Sequence, residues 1–341
     1  MLVDRLTETG QFLACSRFDP HLFSSPIEFS LANGVNVAIP SPGIIQFSPA
    51  NQASKDIVLS CGVHGNETAP IEICDDLVSR ILRLELCPRQ RVLFIFANLP
   101  AMDIAQRFVE ENMNRLFSGE HANSTAAQNQ ERLRACELEK VVGQFFQTGT
   151  SESTRFHYDL HTAIRASKND KFAVYPFLHG GRHSHEQLAF LLACGVNTIL
   201  LSESPTTTFS YFSSRQFGAH AFTVELGKVY PFGQNDMSQF AAVIKTLEAL
   251  ISEDHLSLPP FDSEKMYIYR VNQVINKHHH DFKLHFEDAT PNFTDFEKGH
   301  LLASETGAEY RCEFDGEAIV FPNENVAIGQ RALLTVVPTQ L

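Results

Sequence analysis

The chain has 341 residues, 43% of them hydrophobic and 20% charged, enough to bury one large domain or a large and a small one. Its 27 Lys and Arg stand against 40 Asp and Glu, and a formal net charge of −13 with no basic stripe excludes a nucleic-acid partner. Apolar runs fall short of the roughly 18 residues that a membrane span needs, which excludes a membrane partner.

The N-terminal stretch, Met1 to Pro20, is broken by Asp4, Arg5, Glu8 and Arg17 and lacks the apolar core of a signal peptide. The seven cysteines are scattered and form no CxxC pair, as expected of small buried residues in a reducing, cytoplasmic compartment. Up to residue 55 only short β-like pieces stand out, Val35 to Ile39 and Gly43 to Phe47. Ile57 to Leu59 then reads as a buried strand that breaks at glycines into the loop Gly62-Val63-His64-Gly65-Asn66-Glu67. Pro70 suits a first helical turn, and Ile71, Cys74, Leu77, Val78 and Ile81 follow at helical spacing. Arg91 to Ala97 is a continuous apolar run, the pattern of a strand covered on both faces. From Gly119 to Thr150 the chain turns polar and helical, with an amphipathic helix over Glu131 to Gln147.

Further strands are expected at Phe156 to Thr162, Phe172 to Leu178, Thr198 to Leu201 and Ala219 to Gly227, with helices at His185 to Cys194 and Met237 to Ser252. Alternation of this kind predicts an α/β fold with a mixed, mostly parallel sheet flanked by helices. Pro259-Pro260 marks a boundary, beyond which short strands and turns replace the alternation. The expected division is a catalytic α/β domain over residues 1–259 and a small C-terminal β domain over 260–341.

His64 and Glu67 fall at the carboxyl end of a strand, where open α/β sheets place their ligands. Imidazole and carboxylate three residues apart can converge on one metal ion, a donor mixture that zinc accepts. A catalytic zinc takes a third protein ligand from elsewhere, and His161 in Asp159-Leu160-His161-Thr162 is the best placed, with Asp159 on the same strand face. A general base should be a carboxylate that does not bind the metal. Glu225 ends the apolar strand Ala221 to Val224, where an unused buried charge is costly. In so acidic a chain an anionic substrate needs a local positive pocket. Arg107, Asn114 and Arg115 can present guanidinium and amide donors to a carboxylate.

Four segments in this order, GVHGNETAP, NMNRLF, DLHTA and VELG, resemble the zinc carboxypeptidase superfamily, and within it the succinylglutamate desuccinylase and aspartoacylase branch. The similarity runs from about residue 40 to the C-terminus, including Ile319-Val320-Phe321-Pro322-Asn323. It implies a zinc carboxypeptidase-like fold and one Zn2+ per chain on His64, Glu67 and His161. It also implies Glu225 as the catalytic acid/base, Arg107 beside the scissile carbonyl, and Asn114 with Arg115 on a substrate carboxylate. The implied substrate is a small anionic acyl-amino acid, N2-succinyl-L-glutamate, cleaved to succinate and glutamate in arginine catabolism. Residues for the succinyl carboxylate do not transfer, and Arg165 is the candidate there. Two other readings stay open: deacylation of another acyl-amino acid such as N-acetyl-aspartate, and a non-catalytic metal- or carboxylate-binding protein. His278-His279-His280 is set aside as a solvated turn, because three adjacent histidines on an extended chain cannot turn to one ion.

Overall fold

A computed structural model describes residues 2–123 and 127–341, so 124–126 of the polar stretch, and Met1, lie outside the described residues. Two helices open the chain, α1 (Leu2–Thr9) and α2 (Phe12–Phe18), followed by strands β1 (Ile27–Ser30), β2 (Asn36–Ser41) and β3 (Ile44–Ser48). The alternating part comprises β4 (Lys55–Cys61), α3 (Thr68–Leu82), β5 (Arg91–Phe96), α4 (Leu99–Asp103), α5 (Gln130–Gln147), β6 (Thr154–Ala163), β7 (Phe172–Tyr175), α6 (His185–Ala193), β8 (Thr198–Leu201), α7 (Phe209–Phe217), β9 (His220–Lys228) and α8 (Ala241–Ser252). Beyond it come β10 (Tyr267–Asn276), β11 (Lys283–Leu284), β12 (Thr294–Phe296), β13 (Leu301–Glu305), β14 (Ala308–Arg311), β15 (Glu317–Val320) and β16 (Arg331–Pro338).

Among the described residues one sheet holds 13 strands in the order β1-β2-β3-β5-β4-β6-β9-β7-β8-β10-β16-β15-β12. It is mixed. The centre, β5-β4-β6-β9, is parallel, and antiparallel strands flank it on the side of β3. The apolar runs are explained by cover on both faces. Ile57, Leu59 and Cys61 of β4 and Val92, Phe94 and Phe96 of β5 belong to one buried cluster, with the inner face of α3. The alternate residues Val58, Leu93 and Ile95 belong to another, with Leu138, Phe145 and Phe146 of α5 and Phe209 of α7. Each fully buried aliphatic or aromatic side chain of this kind contributes about 1.5–3 kcal/mol. The result is a rigid parallel centre whose strands all finish on one edge, at Cys61, Phe96, Ala163 and Lys228.

Strands of residues 260–341 add to this sheet through β10, which runs parallel to β8 and antiparallel to β16. They also enclose a cluster of their own, including Ile275, Phe282, Leu302, Ile319 and Leu333, beside a small sheet β11-β13-β14. We propose these residues as a second folding unit on the strength of that cluster. The helices α1, α2 and α7, with β1 and β12 to β14, carry too short a periodic pattern to be read from sequence. In α7, serines and aromatics mask the helix. Its ends are set by Thr208, which accepts the Tyr211 amide, and by Gly218 in the left-handed conformation that glycine adopts freely.

Asp75 of α3 is a carboxyl in an awkward place. Burial raises its pKa to about 6, against the Leu13 amide that bonds to it, and one of its oxygens has no partner. A folded-state pKa above the unfolded value means that folding disfavours the ionised form, so stability is lost as pH rises through about 6. Asp75→Asn should therefore raise the melting temperature, and by more at pH 8 than at pH 5. Thermal unfolding of both proteins at the two pH values checks this, and an equal or inverted difference would contradict it.

Candidate metal centre and active site

The loop that leaves β4 is shaped by close packing. Gly62 has φ of 64° and a Cβ there would strike Met102, while a Cβ on Gly65 would strike the backbone of Ala101 and Met102. Squeezed against α4 in this way, the loop delivers His64 and then Glu67, the residue just before α3, whose side chain does not bond the helix's first amides. The positive end of that helix favours a carboxylate. His161 comes from the far end of β6, two residues after Asp159 and next to it on the same strand face.

Glu67 is the centre of the arrangement. Its Oε1 lies 2.8 Å from His64 Nδ1 and 2.6 Å from Arg107 Nη1, and its Oε2 lies 2.9 Å from His161 Nδ1. The Thr162 amide donates to the same Oε2 at 3.2 Å. All of His64, Glu67 and His161 are buried, and one ligand atom from each lies within 4.8 Å of the others, so the group can hold a metal ion. The donor set fits. His64 Nε2 is bonded to Asn112 Oδ1 at 2.9 Å, which places the ring proton there, and Nδ1 is left buried with no hydrogen bond despite its closeness to Glu67. Burial and then Arg107 bring the His64 pKa down to about 4, so its ring is neutral and its free lone pair faces the group. His161 is backed in the same manner, with Nε2 bonded to Asp159 at 2.8 Å. Behind Asp159 the buried chain continues through Ser60 at 2.5 Å, His157 at 2.8 Å and Ser213 at 2.7 Å. Outer partners of this type fix the tautomer and orientation of a metal-ligating histidine.

Charge balance points the same way. Burial opposes ionisation of Glu67, but His64, His161 and Arg107 overcome it and hold its pKa well below the usual range. Burial likewise opposes a charged His161, and Asp159 and Glu67 overcome that, so the pair of carboxylates demands a cation at this spot. A divalent ion meets that demand in place of the proton.

Glu225 lies next to His161 across the β6–β9 pairing, with Oε2 buried and unbonded. Burial, reinforced by the charge of Glu67, raises its pKa to about 7. All seven residues expected from the sequence, His64, Glu67, Arg107, Asn114, Arg115, His161 and Glu225, line one cavity of about 420 Å³. Asn114 and Arg115 sit in a short 3-10 turn, where Asn114 Oδ1 accepts the Phe209 amide at 3.2 Å and Arg115 donates to the Asn114 carbonyl at 2.9 Å. Arg165 also reaches the wall, but its guanidinium is spent on the carbonyls of Asp288 and Thr290. The amides of His278 and His279 bind Glu305, and these residues are not among those lining the cavity.

Three contributors escaped the sequence reading. Asn112 orients His64 although it stands inside a segment already singled out. Glu131, the second residue of α5, is buried and accepts the amides of Val109, Glu110 and Glu111, pinning the loop that carries Arg107. Arg331, from β16, lines the cavity from the C-terminal unit. No local signal could have linked it to site residues that lie between 106 and 267 positions upstream.

Residues 53–251 match the model of the succinylglutamate desuccinylase/aspartoacylase catalytic domain, and residues 264–339 that of the AstE/AspA barrel-sandwich hybrid domain. A succinylglutamate desuccinylase of Pseudoalteromonas atlantica is 62% identical over 100% of this chain and 97% of its own length. The chain belongs to the succinylglutamate desuccinylase/aspartoacylase family. Another family member, the succinylglutamate desuccinylase of Idiomarina loihiensis, is 52% identical over 97% of both chains. The crystal structure of a succinylglutamate desuccinylase from Chromobacterium violaceum superposes with a TM-score of 0.85 at 39% identity, covering 97% of this chain and 98% of that one.

If Asn112 fixes the donor face of His64, Asn112→Ala should weaken zinc binding by about 10–100-fold while leaving the fold intact. Competition with a chromophoric chelator measures this. An unchanged affinity would show that His64 is oriented by something else.

Proposed function

We propose that the protein is a zinc-dependent amide hydrolase that converts N2-succinyl-L-glutamate to succinate and L-glutamate, acting in the cytoplasm on the succinylated route of arginine catabolism. The observation that carries this reading is the pairing, in one cavity of a family member, of the His64, Glu67 and His161 group with a buried carboxylate outside it, Glu225. A protein that only bound a metal or a carboxylate would gain nothing from that unsatisfied oxygen. Among the described residues no helix is long and apolar enough to cross a membrane.

His64, Glu67 and His161 would hold the zinc, which supplies a Lewis acid and brings the pKa of water down to about 7. Glu225 then takes the proton of the attacking water at its free Oε2 and passes it to the departing glutamate nitrogen. A carboxyl of pKa about 7 is matched to both transfers near neutral pH. One nitrogen of Arg107 is tied to Glu67, and the residue lines the cavity with no other side-chain hydrogen bond among the described residues. There it can stabilise the oxyanion of the succinyl carbonyl, a kind of donor whose loss costs on the order of 10²–10³ in turnover. Asn114 and Arg115 would hold a carboxylate of the glutamate half. Burial and the neighbouring Arg107 bring Arg115 down to about 10, the mark of a guanidinium with no acid of its own.

Glu225→Gln keeps the shape and removes the proton acceptor. Turnover of succinylglutamate should fall by about 10²–10⁴-fold with zinc content and melting temperature near wild type. Succinate release and metal analysis on the same preparation test this. A variant with normal kcat would reduce Glu225 to a structural residue at a strand end.

A further inference from the structure

Arg331 opens β16 and lines the cavity together with His64, Glu67 and Glu225. Among the described residues its guanidinium makes no hydrogen bond and no ion pair, and its Nε is buried without a partner. It rests over the ring of Phe321, 5.4 Å from the ring centre. Burial first, and then the like charges of Arg115 and Arg107, pull its pKa down to about 9, with Glu225 acting the other way. Among the described residues no acid of the wall forms an ion pair with it, and Glu225 acts on it only through its charge. Glu324 receives the Leu284 amide, and Asp288 meets Arg165 through its backbone carbonyl. A desolvated guanidinium with five donors and no acceptor is expensive unless an anion arrives.

The cavity's other arginines are accounted for. Arg107 is bound to Glu67, and Arg165 to two carbonyls. Arg115 stands beside Asn114 on the turn assigned to the glutamate half. Two carboxylates of the substrate are then left, the second one of the glutamate half and the one at the far end of the acyl chain, and the guanidinium that remains comes from a different element than the turn that takes the glutamate half. Resting on the desuccinylase reading, we propose that Arg331 receives the succinyl carboxylate, so that the C-terminal unit selects the acyl group. Because the residue is brought by β16 and not by the α/β part, acyl selectivity depends on how that strand closes over the cavity.

The test compares wild type, Arg331→Met and Arg331→Lys on succinyl-glutamate and butyryl-glutamate, which has the same chain without the distal charge. Calorimetric binding of succinate and butyrate serves as a readout independent of turnover. Wild type should prefer the succinyl substrate by at least about 100-fold, since a buried charge left unpaired is strongly penalised. Arg331→Met should lose that preference, with kcat/KM for butyryl-glutamate held within a few-fold. Arg331→Lys should keep part of it, because an ammonium retains the charge without the planar fork. Retention of the lysine variant's preference also guards against a methionine variant that misfolds. Equal losses on both substrates, an unaltered preference in the methionine variant, or wild-type binding that does not favour succinate over butyrate would each overturn the assignment. Wild type that releases no succinate from succinyl-glutamate would instead remove the desuccinylase reading. The succinate and butyrate binding arm would then still decide whether Arg331 is a carboxylate receptor.

Discussion

One buried carboxylate governs this site. Glu67 is buried and is touched by His64, His161, Arg107 and the Thr162 amide, all at 2.6–3.2 Å. A lone carboxylate there would be driven to protonate. It stays ionised because Arg107 and His161 beside it are cationic and the Thr162 amide donates to it. The need for positive charge at that point is what suits the constellation to holding a metal ion.

The rest of the molecule reads as support for that geometry. The parallel centre of the sheet brings β4, β6 and β9 to a common edge, placing His64, His161 and Glu225 side by side from residues up to 161 positions apart. Gly62 and Gly65 let the loop of His64 and Glu67 press on α4, and α4 is capped by Asn98, whose side chain also bonds Glu131. Glu131 in turn holds the loop of Arg107 and Asn112. A run of buried hydrogen bonds from Ser213 to Asp159 fixes the second histidine. Polar networks of this kind are costly when incomplete, so each member tightens the others. The C-terminal strands finish the cavity and add Arg331, a guanidinium with no hydrogen bond or ion pair among the described residues.

Much of this was legible in the chain itself. Strands buried on both faces announce themselves as apolar runs, and Ile57 to Leu59, Arg91 to Ala97 and Thr198 to Leu201 all lie where such runs predict. His64 and Glu67 stood out because a glycine-broken loop at a strand end is a local feature, and all seven candidate positions line one cavity. Four short segments in fixed order also added a resemblance that spacing alone lacks. What could not be read follows a physical rule. Asn112 and Glu131 act through hydrogen bonds whose partners are set by tertiary packing, and α1, α2 and α7 are too short for periodicity to separate helix from loop. Arg331 begins an ordinary-looking β strand, and its part depends on a sheet edge joined only when β10 pairs with β8. Arg165, closer in sequence to His161, is the better guess from the chain and is diverted by two carbonyls in the fold.

Everything proposed for the reaction depends on the Glu67 group holding a metal. The most direct measurement is elemental analysis of the purified chain, joined to succinate release before chelation, after it, and after zinc is restored. The expected result is close to one zinc per chain, with activity lost on removal and regained on addition. Full succinate release from protein shown to contain no metal would contradict the account.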